Sequence, residues 1–232
     1  KVDVLYNDEY DRVIPVVIHG DAAVAGQGVV YECLQMYNLK GFKSGGSIHF
    51  VINNQLGFTT DFEDARSADY CTSIGKAVGA PILHVNGDDA EAVVYATEFA
   101  VAFRQKFHRD IFVDMVCYRK HGHNEGDEPK FTQPQLYKLI AKHKNPREVY
   151  LNTLIEKNII EESMAKQLEK EFKQMLQDRF NLVSQEEIKY KPQEPDRAWH
   201  SLRRSTPEDF ETSPITAVDK KEYDLVAKGM TF

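Results

Sequence analysis

Four short apolar runs, each followed by a turn-forming or polar segment, constrain the fold of this 232-residue chain more than any other feature. They lie at 13–18 (VIPVVI), 48–52 (IHFVI), 81–85 (PILHV) and 111–116 (IFVDMV). Runs this short and this rich in Val and Ile suit the strands of a parallel sheet, and the first reads as a strand covered on both faces. Segments of helical character separate them. The stretch 23–39 places Val30, Leu34 and Tyr37 on one face, and Asp88-Asp89-Ala90-Glu91 can cap a helix carrying Ala92, Ala96, Phe99 and Phe103. Strands alternating with helices of this length predict an α/β fold with a doubly wound, mostly parallel sheet. In such sheets ligands bind beyond the carboxyl ends of the strands, so function is sought in the loops after Ile18, Ile52, Val85 and Val116.

Glycine marks where that unit ends: twelve of the thirteen glycines lie at or before Gly126. Beyond it, Asn145-Pro146 reads as a helix start, and Met164, Leu168, Phe172 and Met175 form an apolar stripe suited to a core or an interface. The expected organisation is an α/β domain over 1–145, a helical extension over 146–184 and an irregular, proline-rich linker over 185–232 toward a further domain. Trp199 and the pair Arg203-Arg204 are read as part of a solvated loop. The N-terminal KVDVLYNDEYDR carries no initiating Met and no signal core, so the chain reads as a segment of something longer.

Composition excludes several classes. No apolar run approaches the roughly 20 residues of a membrane helix. The formal net charge of −7, from 29 basic and 36 acidic side chains, argues against a nucleic-acid partner, which normally requires a basic face. Cys33, Cys71 and Cys117 form no paired motif and are expected to be small buried hydrophobes in a reducing compartment.

Two strand-end loops carry matched chemistry. His19-Gly20-Asp21-Ala22-Ala23 follows the first run, and Asn53-Asn54-Gln55-Leu56-Gly57-Phe58 follows the second. A small-residue turn can bring backbone N–H groups to an anion. An aspartate in that turn repels phosphate unless a divalent cation lies between them, and magnesium commonly takes one or two carboxylates plus phosphate oxygens. The competing readings are a helix N-cap for Asp21 and a simple turn for Asn53-Asn54. Further on, His121 and His123 beside Glu125 and Asp127 also fit a transition-metal site or a solvated loop.

Gly20-Asp21-Ala22, thirty intervening residues (23–52) and Asn53-Asn54 resemble the Gly-Asp-Gly…Asn-Asn motif of thiamine-diphosphate enzymes. Ala22 in place of glycine is similar to one branch, the 2-oxoglutarate-decarboxylating members of the 2-oxoacid dehydrogenase family. The runs from Val51 to Thr60, Asp64-Ala65-Arg66-Ser67, Tyr70-Cys71-Thr72, and Cys117 to Glu125 followed by Asp127-Glu128-Pro129 resemble the same branch. Pyruvate-type relatives usually carry Ser after the second histidine, where this chain has Asn124. The resemblance covers roughly residues 13–150 strongly and the remainder loosely.

The resemblance implies thiamine diphosphate and Mg2+ as cofactors. It implies magnesium ligation by Asp21, the Asn54 side chain and the Leu56 backbone carbonyl, backbone of Ala22 and Ala23 beside the diphosphate, and His123 as a diphosphate contact. It further implies oxidative decarboxylation of 2-oxoglutarate, with succinyl transfer to a lipoyl-bearing dihydrolipoyl succinyltransferase, in a homodimeric full-length enzyme of the cytoplasm, or of the mitochondrial matrix in a eukaryote. No complete catalytic set is found in this chain: the activating glutamate and the substrate histidines of the family have no match. The alternatives are a pyruvate-type or transketolase-like enzyme, or a non-catalytic nucleotide-binding module.

Overall fold

The computed structural model describes residues 10–185 and 199–230. Residues 1–9, 186–198 and 231–232, the last two stretches being parts of the expected linker, lie outside the described residues. Four strands form one parallel sheet: β1 (Val16–Gly20), β2 (Ile48–Asn53), β5 (Ile82–Asn86) and β6 (Ile111–Val116), in the spatial order β1-β2-β6-β5. A two-stranded antiparallel ribbon, β3 (Leu56–Gly57) with β4 (Thr60–Asp61), stands beside it. The registers pair Gly20 with Ile52, Asn53 with Val116 and Asn86 with Val116, so the carboxyl ends of all four strands lie level along one edge.

Alternation along the strands separates two cores. On one face Val51 and Phe112 pack with Val24 and Leu34 from α1 (Asp21–Gly26) and α2 (Gly28–Met36), and with Cys71 and Ile74 from a 3-10 segment, Cys71–Val78. On the other face Ile48, Ile111 and Val113 meet Ala96 and Ala100 of the long helix that follows β5. This places the crossovers on both sides of the sheet, the doubly wound arrangement expected from the sequence. The expected helix over 23–39 is two helices, because Gln27, between Gly26 and Gly28, takes an extended conformation (φ −106°, ψ 120°).

The first run differs from expectation. Its strand begins at Val16, and it is an edge strand, not one covered on both faces. Val16, Val17 and Ile18 are all exposed, Ile18 at 71%, since the helices that follow pack over β2 and β6. Helix α3 is the single turn Phe62–Ala65. Helix α4 (Ala90–Phe107) is capped by Asp89, which accepts a 3.0 Å hydrogen bond from the Ala92 N–H, and closes with His108 in the left-handed region (φ 50°). Of the four residues it carries at helical spacing (Ala92, Ala96, Phe99 and Phe103), Phe99 is exposed. Arg104, near the end of this helix, is fully buried and donates to the Gly46 and Tyr10 carbonyls.

After β6 come α5 (Pro134–Ile140), α6 (Pro146–Glu156), α7 (Glu162–Gln185) and α8 (Lys220–Met230). Asn145 and Glu148 form the reciprocal capping box that starts α6, at the residues where the sequence places the helix start. Among the described residues the Met164, Leu168, Phe172 and Met175 stripe of α7 is not core; all four side chains are exposed. The chain divides into compact units between Lys170 and Glu171, inside α7. In the second unit, Trp199 is exposed, Arg203 is paired with Asp209, and 220–230 is helical where a linker was expected. No helix among the described residues is long and apolar enough to cross a membrane.

The cysteines separate into two kinds. Cys71 is buried and Cys117 half-buried, whereas Cys33 is exposed, contrary to expectation. Burial, reinforced by the Asp114 carboxylate, pushes the Cys71 thiol up to about 12; burial, with Asp21 adding to it, pushes Cys117 up to about 11. Both are therefore neutral, slow nucleophiles at ordinary pH. Iodoacetamide at pH about 8 should alkylate Cys33 first, with Cys71 and Cys117 reacting only in denaturant or above about pH 10. Peptide mass spectrometry reads the order, and fast native labelling of Cys71 contradicts it.

Candidate functional site

The strand ends are tied together by one buried carboxylate. Asp114, on β6, is fully buried and accepts hydrogen bonds from Asn53 Nδ2 (3.0 Å), Thr72 Oγ1 (3.1 Å) and His84 Nδ1 (2.9 Å), with Cys71 Sγ at 3.9 Å. It thereby joins β2, β5 and the 3-10 segment. Backbone bonds complete the edge: Cys117 N donates to Asn53 O and Gly87 N to Val116 O, both at 2.8 Å. Lower on the same face, His49 lies stacked on Phe112, 3.2 Å from Asp110 and 3.0 Å from His19.

The loop after β2 is shaped by its two asparagines. Asn53 Oδ1 accepts from Gln55 N (3.3 Å), and Asn54 Oδ1 accepts from Leu56 N (3.2 Å). Gln55 and Phe58 sit in the left-handed region, at φ 64° and 56°. Two strained non-glycine residues cost on the order of 1 kcal/mol or more each, and such strain gathers at ligand-binding loops. Gln55 Nε2 donates to Cys117 O (2.9 Å), Arg119 Nη2 to Phe58 O (2.9 Å), and Gln133 Nε2 to Thr59 O (2.6 Å). The loop is thus held from three sides.

The other half of the site is the turn after β1. Asp21 is the first residue of α1, with Gly20 as its cap and no side-chain cap bond, so the N-cap reading of Asp21 does not hold. Its carboxylate is 2% exposed and lies 3.4 Å from Arg66 Nη1. Burial raises the Asp21 carboxyl above the ordinary range, and the Arg66 charge and local backbone N–H groups offset part of that rise. Ala22 and Ala23 are half-buried. A Cβ placed on Gly57 would come within 2.8 Å of Ala22 Cβ, so the loop after β2 presses directly on the turn after β1. Leu56, beside that contact, is buried.

His123 is exposed, and its ring lies 4.8 Å from that of Phe58, so the loop after β6 reaches the Asn54–Phe58 loop through this contact. Asp127 Oδ2 accepts from His123 N at 2.8 Å, folding that loop on itself. Among the described residues no group of three or more His, Cys, Asp or Glu side chains is placed to hold a metal ion, so the transition-metal reading of His121 and His123 gains nothing. An open cavity of about 230 Å3 between the ends of β5 and β6 is lined by Gln55, Asn86, Cys117, Tyr118 and His143 among others; Asp21 and His123 do not line it.

Sequence reasoning assigned no role to Asp114, Arg66, Phe58 or Arg119. An aspartate inside the apolar run IFVDMV was the one signal available for the first. Nothing in the spacing points to Arg66, which meets Asp21 only through the fold.

Level strand ends, a buried carboxylate on one strand and an Asn-Asn turn on its neighbour mark the working edge of a parallel-sheet α/β domain. Residues 7–192 match the family described as dehydrogenase E1 component, and the chain belongs to that family of thiamine-diphosphate-dependent 2-oxoacid dehydrogenases. It is similar to 2-oxoglutarate dehydrogenase E1 components: that of Brucella anthropi (44% identical over 222 residues, 94% of this chain and 22% of that protein) and that of Haemophilus influenzae (48% over 178 residues, 76% and 19%). That of Brucella suis is 42% identical over 231 residues, 98% of this chain and 23% of the relative. The chain therefore spans about a fifth of the length of these curated relatives.

The Ala22–Gly57 contact can be tested as a pair. Gly57→Ala should cost about 1–3 kcal/mol by overpacking. Adding Ala22→Gly should recover most of that loss, despite the roughly 1 kcal/mol helix penalty of glycine. Urea unfolding of the double-mutant cycle reads the coupling. Simple additivity of the two costs would show that the loop and the turn do not touch.

Proposed function

We propose that this chain is the magnesium- and diphosphate-holding part of a 2-oxoglutarate dehydrogenase E1 component. The observation that carries this reading is the packing of the Asn53–Phe58 loop against the Gly20-Asp21-Ala22 turn, in a family that uses thiamine diphosphate. The donors fit the ion: the Asp21 carboxylate, the Asn54 side-chain oxygen and the Leu56 backbone carbonyl are hard oxygen ligands of the kind magnesium takes. A buried carboxylate with a single long ion pair retains charge for a dication to neutralise.

When bound, thiamine diphosphate supplies the electron sink for decarboxylation, and the protein supplies placement and charge. Asp21, Asn54 and Leu56 orient the metal. The small side chains of Ala22 and Ala23 allow the diphosphate to approach their backbone. His123, steadied by Phe58, donates to a diphosphate oxygen. Asp114 touches none of these groups; it holds Asn53, and through it the turn that presents Asn54.

For the whole enzyme we propose oxidative decarboxylation of 2-oxoglutarate and succinyl transfer to the lipoyl arm of a dihydrolipoyl succinyltransferase, by a homodimer in the cytoplasm, or in the mitochondrial matrix of a eukaryote. The 42–48% identity to proteins of that name supports this over a pyruvate-type or transketolase-like enzyme. Because the family's activating glutamate and substrate histidines have no match here, the chain alone is inactive in this reading. Calorimetry on the full-length enzyme tests the site. Asp21→Ala and Asn54→Ala should each lower magnesium-dependent thiamine diphosphate affinity at least tenfold, about 1.4 kcal/mol, and His123→Ala should weaken it more than His121→Ala. Unchanged binding by the Asp21 and Asn54 variants would sink the assignment.

A further inference from the structure

Arg66 is buried, charged and under-used. Its side chain is 8% exposed, yet it makes a single hydrogen bond, from Nη1 to Asp21 Oδ2, at the long distance of 3.4 Å. Its Nε is buried with no hydrogen-bond partner, and its guanidinium carbon lies 5.7 Å from the centre of the Phe62 ring. A guanidinium presents five N–H donors in a rigid fork matched to carboxylate and phosphate oxygens. Burying that fork with donors unspent is costly unless an anion takes them up. No second carboxylate pairs with Arg66 among the described residues.

The position has a further consequence. A guanidinium and a dication that share one buried carboxylate repel each other at close range in a poorly screened site, so each weakens the other's hold on it. A diphosphate ester carries roughly three negative charges near neutral pH, the second ionisation of a phosphate lying near pH 6. Asp21, a magnesium ion and that diphosphate sum to about −2, and Arg66 brings the sum to about −1. The guanidinium thus opposes the metal alone and favours the metal together with the anion.

We propose that Arg66 is a two-state charge partner: it neutralises Asp21 in the metal-free chain, and it turns its fork onto a diphosphate oxygen once a divalent cation holds Asp21. This rests on the reading of Asp21 as a metal ligand, and it makes metal and diphosphate binding cooperative beyond their direct contact. A merely structural Arg66 would weaken both ligands when removed. A charge partner gives opposite signs.

The test uses the full-length enzyme that carries this chain, Mn2+ alone followed by electron paramagnetic resonance of the free ion, and inorganic pyrophosphate titrated calorimetrically at fixed Mn2+. Arg66→Met should bind Mn2+ alone about threefold or more tightly, the scale of a partly screened charge repulsion. The same variant should bind pyrophosphate about tenfold more weakly, having lost a charge-assisted bidentate contact. Arg66→Lys, which keeps the charge and loses the fork, should leave Mn2+ affinity within about twofold of the parent and weaken pyrophosphate by a smaller factor. Far-UV circular dichroism checks the fold of each variant, and Arg66→Lys carries the test if Arg66→Met does not fold. The inference is overturned if both affinities move together or if neither moves while the parent enzyme binds Mn2+ through Asp21. If the parent binds no Mn2+, or Asp21→Asn binds it equally well, the metal-ligand reading of Asp21 fails and this inference falls with it.

Discussion

A carboxylate at zero exposure in the middle of a parallel sheet holds this molecule's working edge together. Asp114 sits on β6 between β2 and β5 and gathers donors from Asn53, His84, Thr72 and Cys71. Each of those groups is itself at or near a strand end or a crossover. A buried ion survives only where its lone pairs are satisfied, so the four donors and the acceptor require one another. The same requirement fixes the level at which the strands stop, and hence where the loops begin.

From that fixed edge the site is built by contacts between loops. Asn53, held by Asp114, presents Asn54 in a turn, and the turn carries Leu56 and Gly57 onto Ala22. Phe58 then meets His123, so three strand-end loops converge. Positive φ at Gln55 and Phe58 is the strain carried by a loop held at so many points. The exposed first strand and the apolar stripe of α7 belong to the same description. This chain spans about a fifth of its relatives, and these are apolar surfaces that its own described residues do not cover.

Much of this was legible in the sequence. The four apolar runs gave the four strands within a few residues, because β-branched clusters between turns have few other uses. The Asn145 start of α6 was legible because a capping box is local. What escaped was whatever depends on a partner far along the chain. The exposure of β1 follows from where α1, α2 and α4 pack, which periodicity in 13–18 cannot register. The break at Gln27 is a conformational choice between two glycines that helical spacing alone overlooks. Asp21 and Asn54 stood out as residue types; Arg66, 45 residues from its partner Asp21, did not. The Asp114 hub links residues 30 to 61 positions apart, and only the unusual aspartate in an apolar strand hinted at it.

Asp114 organises the strand-end edge from inside the sheet. The variant Asp114→Ala, followed by urea unfolding alongside Mn2+ titration, tests this. The variant should lose about 2–5 kcal/mol of stability, from leaving the buried Asn53 and Thr72 donors without their acceptor at about 1–3 kcal/mol each, and should bind Mn2+ more weakly in conditions where it remains folded. Stability within about 1 kcal/mol of the parent, with Mn2+ affinity unchanged, would contradict it.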